Sequence, residues 1–338
     1  MKKENVFGNL STGETTKLYS IQNKNGMTLY VTNYGATVTK LIVPTNEGIT
    51  DVVLGFDRVE DYEKSYELPS APYFGTIIGR VAGRIANANF TLNGKKYEVT
   101  QNHGKHHLHG GKNGFGQKLW EVKQWEVNLI TLHYQSSDLE EGYPGNLDVL
   151  VTYEILENNT WKVSMEAWCD QDTTINLTQH TYFNLDDKAT DLSEHLIKIL
   201  AQEMLETNAE MIPTGTFVLT KESNFDFSTF QKVPKSIDTT FINQNNLQEI
   251  AILQSLSNGM QMKVYTNQAG THVYVGGNCF DQIIGKNHLK YHTYSGICFE
   301  AQGFPDAIHH ANFPSIVLKK NTKYQHETCF QFENLSNR

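Results

Sequence analysis

The feature that most constrains this fold is two-residue alternation on both sides of one short polar break. Leu147, Val149, Val151, Tyr153 and Ile155 alternate with Asp148, Leu150, Thr152 and Glu154. After Glu157-Asn158-Asn159-Thr160 the pattern resumes, with Trp161, Val163, Met165, Ala167 and Cys169 set against Lys162, Ser164, Glu166, Trp168 and Asp170. Successive side chains on a strand point to opposite faces, so this pattern specifies an antiparallel pair with one face in a core.

The same signal recurs. Met260, Met262, Val264 and Thr266 follow Asn258-Gly259, and Tyr324, His326, Thr328, Phe330 and Phe332 close the chain. Asn25-Gly26 and Asn93-Gly94 are hairpin dipeptides between short β-rich runs. Helical signal is weak. Residues 57–66 are the best short-helix candidate in the first half, and 228–233 and 246–255 could each hold another. Many short strands with closely spaced turns predict an all-β chain, a large antiparallel β-sandwich with a few short helices. The 338 residues suffice for one large domain or two ordinary ones. The strand pattern runs on without a linker or repeat, which favours one domain over 1–338.

Hydrophobic residues at 39% and charged residues at 19% mark a globular chain. A formal charge of -9 argues against a nucleic-acid face or an anionic membrane and suits a neutral ligand. Cys169, Cys279, Cys298 and Cys329 form no CxxC pair and read as reduced core thiols. The start, Met-Lys-Lys-Glu-Asn-Val, has no apolar signal core, and no 18-residue apolar run follows. The expectation is a cytoplasmic protein.

Four stretches carry candidate chemistry. In residues 296–307, Glu300 sits inside an apolar run that reads as a buried strand and breaks at Gly303 and Pro305. A buried lone carboxylate is costly unless it caps backbone amides or does chemistry. Gly79-Arg80-Val81-Ala82-Gly83-Arg84-Ile85 fits neither dinucleotide nor P-loop patterns. It reads as a loop whose arginines either bind oxygen-rich ligand or pair inside the protein. His103-Gly104-Lys105-His106-His107-Leu108-His109-Gly110-Gly111 invites a metal reading, with His107 and His109 on one strand face. It lacks nearby Cys or an acid at ligand spacing, so one histidine bonding a ligand, with the others exposed, is the stronger expectation. In residues 176–185, period two puts Thr178, His180, Tyr182 and Asn184 on one polar-headed face, as if lining water or a polar ligand. Histidine is the side chain best placed to move protons near neutrality. Asp238 and Gln268 are ambiguous on their own, and no serine-hydrolase motif is present.

In order and spacing these stretches resemble the aldose 1-epimerases, also called galactose mutarotases. The likeness starts at Asn33-Tyr34-Gly35-Ala36 and includes Leu108-His109-Gly110-Gly111, Gly142-Tyr143-Pro144-Gly145 and His180-Thr181-Tyr182-Phe183-Asn184-Leu185. It ends at Glu300, Gln302 and Pro305-Asp306-Ala307. The resemblance implies a β-sandwich enzyme with no metal or organic cofactor, acting on a free aldose as a monomer or homodimer. It assigns Glu300 as general base and His180 as general acid. Arg84, His109 and Asp238 match sugar-binding positions, with Gln268 and Tyr182 as further candidates and Arg80 set aside. One departure is Asp238-Thr239, where the family usually has Asp-His or Asp-Asn. Two rivals share the fold. A hexose-6-phosphate 1-epimerase would use Arg80 and Arg84 on the phosphate, and a silent carbohydrate-binding protein would need no acid–base pair. A glycosidase usually wants two carboxylates.

Overall fold

The computed structural model describes residues 3–46, 48–186, 191–244, 246–276 and 283–335. Cys279 therefore lies outside the described residues. Among these residues the secondary structure is overwhelmingly antiparallel β, and no helix is long and apolar enough to cross a membrane.

The two strands expected from alternation are Leu147–Ile155 and Thr160–Cys169, paired from Leu147 opposite Cys169 to Ile155 opposite Trp161. They lie within a nine-stranded sheet and are flanked by Leu129–Ser136 on one side and the last strand, Lys323–Asn334, on the other. Met260–Thr266 follows next to that last strand. The residues picked out by period two all face inward: Val149, Val151, Tyr153, Trp161, Val163 and Met165 are all buried.

A six-stranded sheet packs on this one. It contains Tyr182–Phe183, Ile297–Gln302, Gly270–Val275 and Ile237–Ile242, followed by Glu203–Thr207 and Pro213–Leu219. Rings close the gap between the sheets: Phe183 meets Phe330 with centroids 4.9 Å apart, and Trp161 stacks on Phe330 at 5.0 Å. Removing a ring such as Phe183 from water contributes roughly 1.5–3 kcal/mol. A five-stranded N-terminal sheet adds Ile21, Leu29, Val31 and Leu41 to the same core.

The hairpins at Asn25-Gly26 and Asn93-Gly94 form as expected, between Thr15–Gln22 and Thr28–Thr32 and between Asn89–Leu92 and Lys95–Glu98. The first-half helix is Val59–Ser65. The other two helix expectations fail. Residues 231 and 232 belong to a short edge strand, and Gln248–Ser255 is a strand. The latter is hydrogen-bonded on one side to His195–Ile199 and on the other to Met260–Thr266, with Ile250 to Leu253 buried. Pairing on both edges outweighs the mild helix propensity of its Gln, Glu and Ala residues.

The register of the six-stranded sheet decides where chemistry can happen. Directly opposed residues share a face, and the face alternates along each strand. Glu300 lies opposite His272, which lies opposite Thr240, and Cys298 lies opposite Tyr274, which lies opposite Asp238. The alternate residues Phe299, Val273 and Phe241 enter the core. The sheet thus buries its apolar face against the larger sheet and turns Glu300, His272 and Asp238 toward the loops.

Candidate active site

Loops cover that polar face, among them the segment that carries Tyr66 to Tyr73, and the motif residues knot three of them together. Arg84–Ile85 pairs with His107–Leu108, which brings the arginine loop against the histidine-rich loop. The amide of Asp306 donates to the Arg84 carbonyl at 3.0 Å, tying in the turn that follows Glu300. His109 donates its amide to the Gly83 carbonyl at 3.1 Å, and its Nδ1 accepts the Gly83 amide at 3.3 Å. With Nδ1 accepting, Nε2 carries the proton of the neutral ring. Gly83 has φ +73°, and a Cβ there would lie 2.9 Å from Pro305. At Gly110, φ +82°, a Cβ would lie 1.8 Å from the Gly79 carbonyl oxygen. Neither position accommodates a side chain.

Between the sheet face and these loops lies a cavity of about 530 Å³. Glu300, His180, Arg84, His109 and Asp238 all line it, together with His272, Tyr73 and Tyr274. His180 comes from a broken strand. Thr178–Gln179 pairs with Ile77–Ile78 and Tyr182–Phe183 pairs with Ile297–Cys298, leaving residue 180 at the break. Its amide donates to the Thr76 carbonyl at 2.9 Å, and its own carbonyl accepts the Gly75 amide at 2.8 Å. Both His180 and Glu300 are only 2% exposed, and His180 Nε2 stands 3.5 Å from Glu300 Oε1. The Oε2 atom of Glu300 has no hydrogen-bond partner among the described residues. A buried carboxylate oxygen without a partner is the group a ligand hydroxyl can satisfy.

The electrostatics separate the groups. Burial pushes the His180 pKa below its ordinary 6.5, with the Glu300 carboxylate pulling the other way. Burial, with His180 and Arg84 adding to it, holds His109 well below the same value, so its Nε2–H is a neutral donor. At Asp238 burial works to raise the pKa, but the hydrogen bond and charge of His272, with Arg84 behind, outweigh it and the carboxyl is net lowered. His272 is the reverse case. Burial lowers it, yet Asp238, its Nε2 2.9 Å from Oδ1, and Glu300 leave it net raised. Burial also lowers Arg84, against the pull of Asp238 and Glu300.

Several expectations need correction. Tyr182 and Gln268 are not in the cavity wall. Tyr182 lies opposite Cys298 in the sheet, its fully buried ring packed between Phe74 and Tyr274. Gln268 sits in the turn before Gly270–Val275, its Nε2 bonded to Asn267 Oδ1, and lines a separate cavity of about 410 Å³. The polar-headed face of 178–184 does not line a ligand as a whole. Thr178 Oγ1 donates to the Ala301 carbonyl and Asn184 Nδ2 to the Ser295 carbonyl, and of the four only His180 reaches the cavity.

Arg80 points the other way from Arg84. Its guanidinium donates to the carbonyls of Pro144, Gly145 and Ser137 and to Ser136 and Thr173, a structural use. His106 and His107 are buried, not exposed as expected, and His107 is held by the Thr100 carbonyl and the Tyr143 hydroxyl. His107 and His109 do not share a strand face, because the strand ends at Leu108 and His109 has φ +50°. Cys169 and Cys298 are buried thiols and Cys329 is half-buried.

His272 escaped the sequence reading. Its signal was available: His272 and Tyr274 alternate with Thr271, Val273 and Val275, the same polar-headed pattern that singled out His180. His109, His180 and Glu300 also place one ligand atom each within 4.8 Å of one another, the only such set of metal-ligating side chains among the described residues.

Comparison with known proteins places the chain in a family. The family profile described as aldose 1-epimerase matches residues 17–331. A galactose mutarotase from Bos taurus is 34% identical over 340 residues, covering 97% of each chain. An aldose 1-epimerase from Haemophilus influenzae is 33% identical over 349 residues, covering 98% of this chain and all of the relative. Among solved structures, an aldose epimerase homologue from C. elegans superposes with a TM-score of 0.88 at 28% identity, over 95% of this chain and 100% of the other. The chain belongs to the aldose 1-epimerase family, whose members are isomerases.

Proposed function

We propose that this chain interconverts the α and β anomers of free aldohexoses such as D-galactose and D-glucose, as a single domain over residues 1–338 in the cytoplasm. The observation that carries the reading is the buried pair at the floor of a polar cavity, Glu300 and His180, 3.5 Å apart. Glu300 takes the proton from the C1 hydroxyl as the bond from C1 to the ring oxygen breaks. His180 gives its proton to that ring oxygen. The open-chain aldehyde turns about C1–C2, and the steps run backward on the other carbonyl face. No atom is gained or lost. Each positioned group contributes roughly 10²–10⁴-fold.

Arg84, the Nε2–H of His109 and the Asp238 carboxylate supply donors and an acceptor for the remaining hydroxyls. A buried site of this kind penalises a sugar lacking the hydroxyl it is built to bond. The working form carries Glu300 ionised and His180 protonated. Burial works against the charged ring of His180, and the Glu300 carboxylate favours it.

The phosphate reading loses half of its support, because Arg80 is committed inside the protein. The cation left beside Arg84 in the cavity wall is Lys112, which is exposed at the mouth. The deciding experiment is the anomer-exchange rate on a panel of free and 6-phosphorylated aldoses, with and without EDTA. Free hexoses exchange fastest and the chelator changes nothing. Faster exchange of the phosphates would reverse the substrate assignment. Sugar binding without exchange would make the chain a carbohydrate-binding protein. Loss in EDTA with recovery on a divalent ion would give the His109, His180 and Glu300 set a metal role.

A further inference from the structure

Sheet register puts Cys298 two residues before Glu300 on the same strand face, directly beneath the histidine that works with it. Its Sγ lies 3.6 Å from His180 Nδ1, while the other ring nitrogen of His180 faces Glu300. Cys298 is fully buried and does not line the cavity, so its thiol addresses the back of the imidazole and never the ligand.

A neutral imidazole has one N–H and one lone pair, and the partner of one nitrogen sets the state of the other. A carboxylate 3.5 Å from Nε2 favours a proton there and a lone pair on Nδ1. That lone pair then needs a donor, and S–H is one. When His180 takes up a second proton, Nδ1–H must instead find an acceptor. A thiol rotates and offers its sulfur lone pairs. One small neutral group therefore serves both protonation states of the acid without any backbone shift. A carboxylate in its place would favour the charged ring or the neutral Nδ1–H tautomer, and a methyl would serve neither state.

We propose that Cys298 is a positioning residue for the reaction: its thiol donates to Nδ1 and holds the neutral ring of the free protein in the Nε2–H tautomer, then accepts Nδ1–H once the ring is charged and after the Nε2 proton has passed to the ring oxygen. The competing partner for Nδ1 is His180's own backbone carbonyl, which would fix the opposite tautomer. The other titratable groups around the ring are Glu300 on the same strand as Cys298, His272 on the next strand, His109 and Tyr73 from the covering loops and Tyr182 from its own segment. None of these is placed by the structure against Nδ1.

The kinetic arm of the test rests on the mutarotase reading, while the spectroscopic arm does not. In histidine-labelled protein at about pH 8, two-bond 15N–1H spectra report the tautomer of each neutral ring. The His180 signals are identified by their loss in His180→Gln. The expected result is Nε2–H in the wild type and a mixture in Cys298→Ala. On galactose, Cys298→Ala lowers kcat about 10-fold with little change in KM, a fraction of the roughly 10²–10⁴ that the acid supplies. Its alkaline limb also moves to lower pH, because the charged ring has lost an acceptor. Cys298→Ser keeps the tautomer and restores the rate to within about 3-fold, since a hydroxyl also both donates and accepts. An Nδ1–H tautomer in the wild type overturns the proposal. So does a Cys298→Ala variant whose tautomer and pH profile match the wild type. If Cys298→Ala does not fold, the wild-type spectrum and the serine variant still decide.

Discussion

Nε2 of His180 stands 3.5 Å from Oε1 of Glu300, with both side chains almost wholly removed from solvent. Taking two ionisable groups out of water is expensive. Here they share the floor of a cavity whose other walls carry Arg84, His109 and the Asp238–His272 pair. The arrangement comes from two independent devices: strand register, which turns Glu300 off the core face, and a strand break, which releases His180 from regular pairing.

Arg80 and Arg84 lie four residues apart in one loop and are expected to fail in different ways. Arg84→Met should raise KM or cut kcat/KM by about 10- to 100-fold, as expected for a lost charge-assisted contact of about 1.5–3 kcal/mol. Its melting temperature should stay near the wild type. Arg80→Met strips donors from several buried acceptors at about 1–3 kcal/mol each, and should lower the melting temperature or block folding. Paired kinetics and thermal melts check this, and equal behaviour of the two variants would refute the division of roles.

The pH profile should carry the mark of His180. Its pKa is pushed below 6.5 by burial, with Glu300 opposing, so kcat/KM should fall as pH rises through a value below that of an ordinary imidazole. In Glu300→Gln the opposing charge is gone, and the His180 titration followed by NMR should move lower still. An unchanged or raised His180 pKa in that variant would show that the two groups do not feel each other.

A separate pH signature belongs to stability. His272 has a folded pKa raised above 6.5, because Asp238 and Glu300 overcome the effect of burial. Its stabilising share is therefore complete below the unfolded value and is lost as pH rises through the folded one. Asp238, whose folded pKa is lowered from 3.8, stays ionised across this window and adds no slope. The melting-temperature gap between wild type and His272→Gln should thus narrow as pH rises past the ordinary imidazole value of 6.5 and through the raised folded one. A gap independent of pH would mean that the pair is not ionic in the folded state.

Local patterns were legible in the sequence, and long-range placement was not. Alternation at 147–155 and 161–169 needs only neighbouring residues, and it reported both the strands and their buried faces. The strand Gln248–Ser255 was misread because its state depends on two partners far away in the chain. Arg80 and Arg84 could not be told apart by type. Arg80 turns inward because the loops around Ser136 and Pro144 bring their carbonyls to it. The alternating face at 178–184 assumed a continuous strand, and the break at 180 sends its polar heads to different backbone partners. Asp238 was recognisable by motif, but its orientation depends on His272, which stands opposite Thr240 on the neighbouring strand.

The most direct test is polarimetry on freshly dissolved α-D-galactose and α-D-glucose with the wild type, Glu300→Gln and His180→Asn, each shown to be folded by circular dichroism. The wild type should speed the approach to anomeric equilibrium, and each variant should lose roughly 10²–10⁴-fold of that acceleration. A folded Glu300→Gln or His180→Asn protein that exchanges anomers near the wild-type rate would contradict the assignment of that residue.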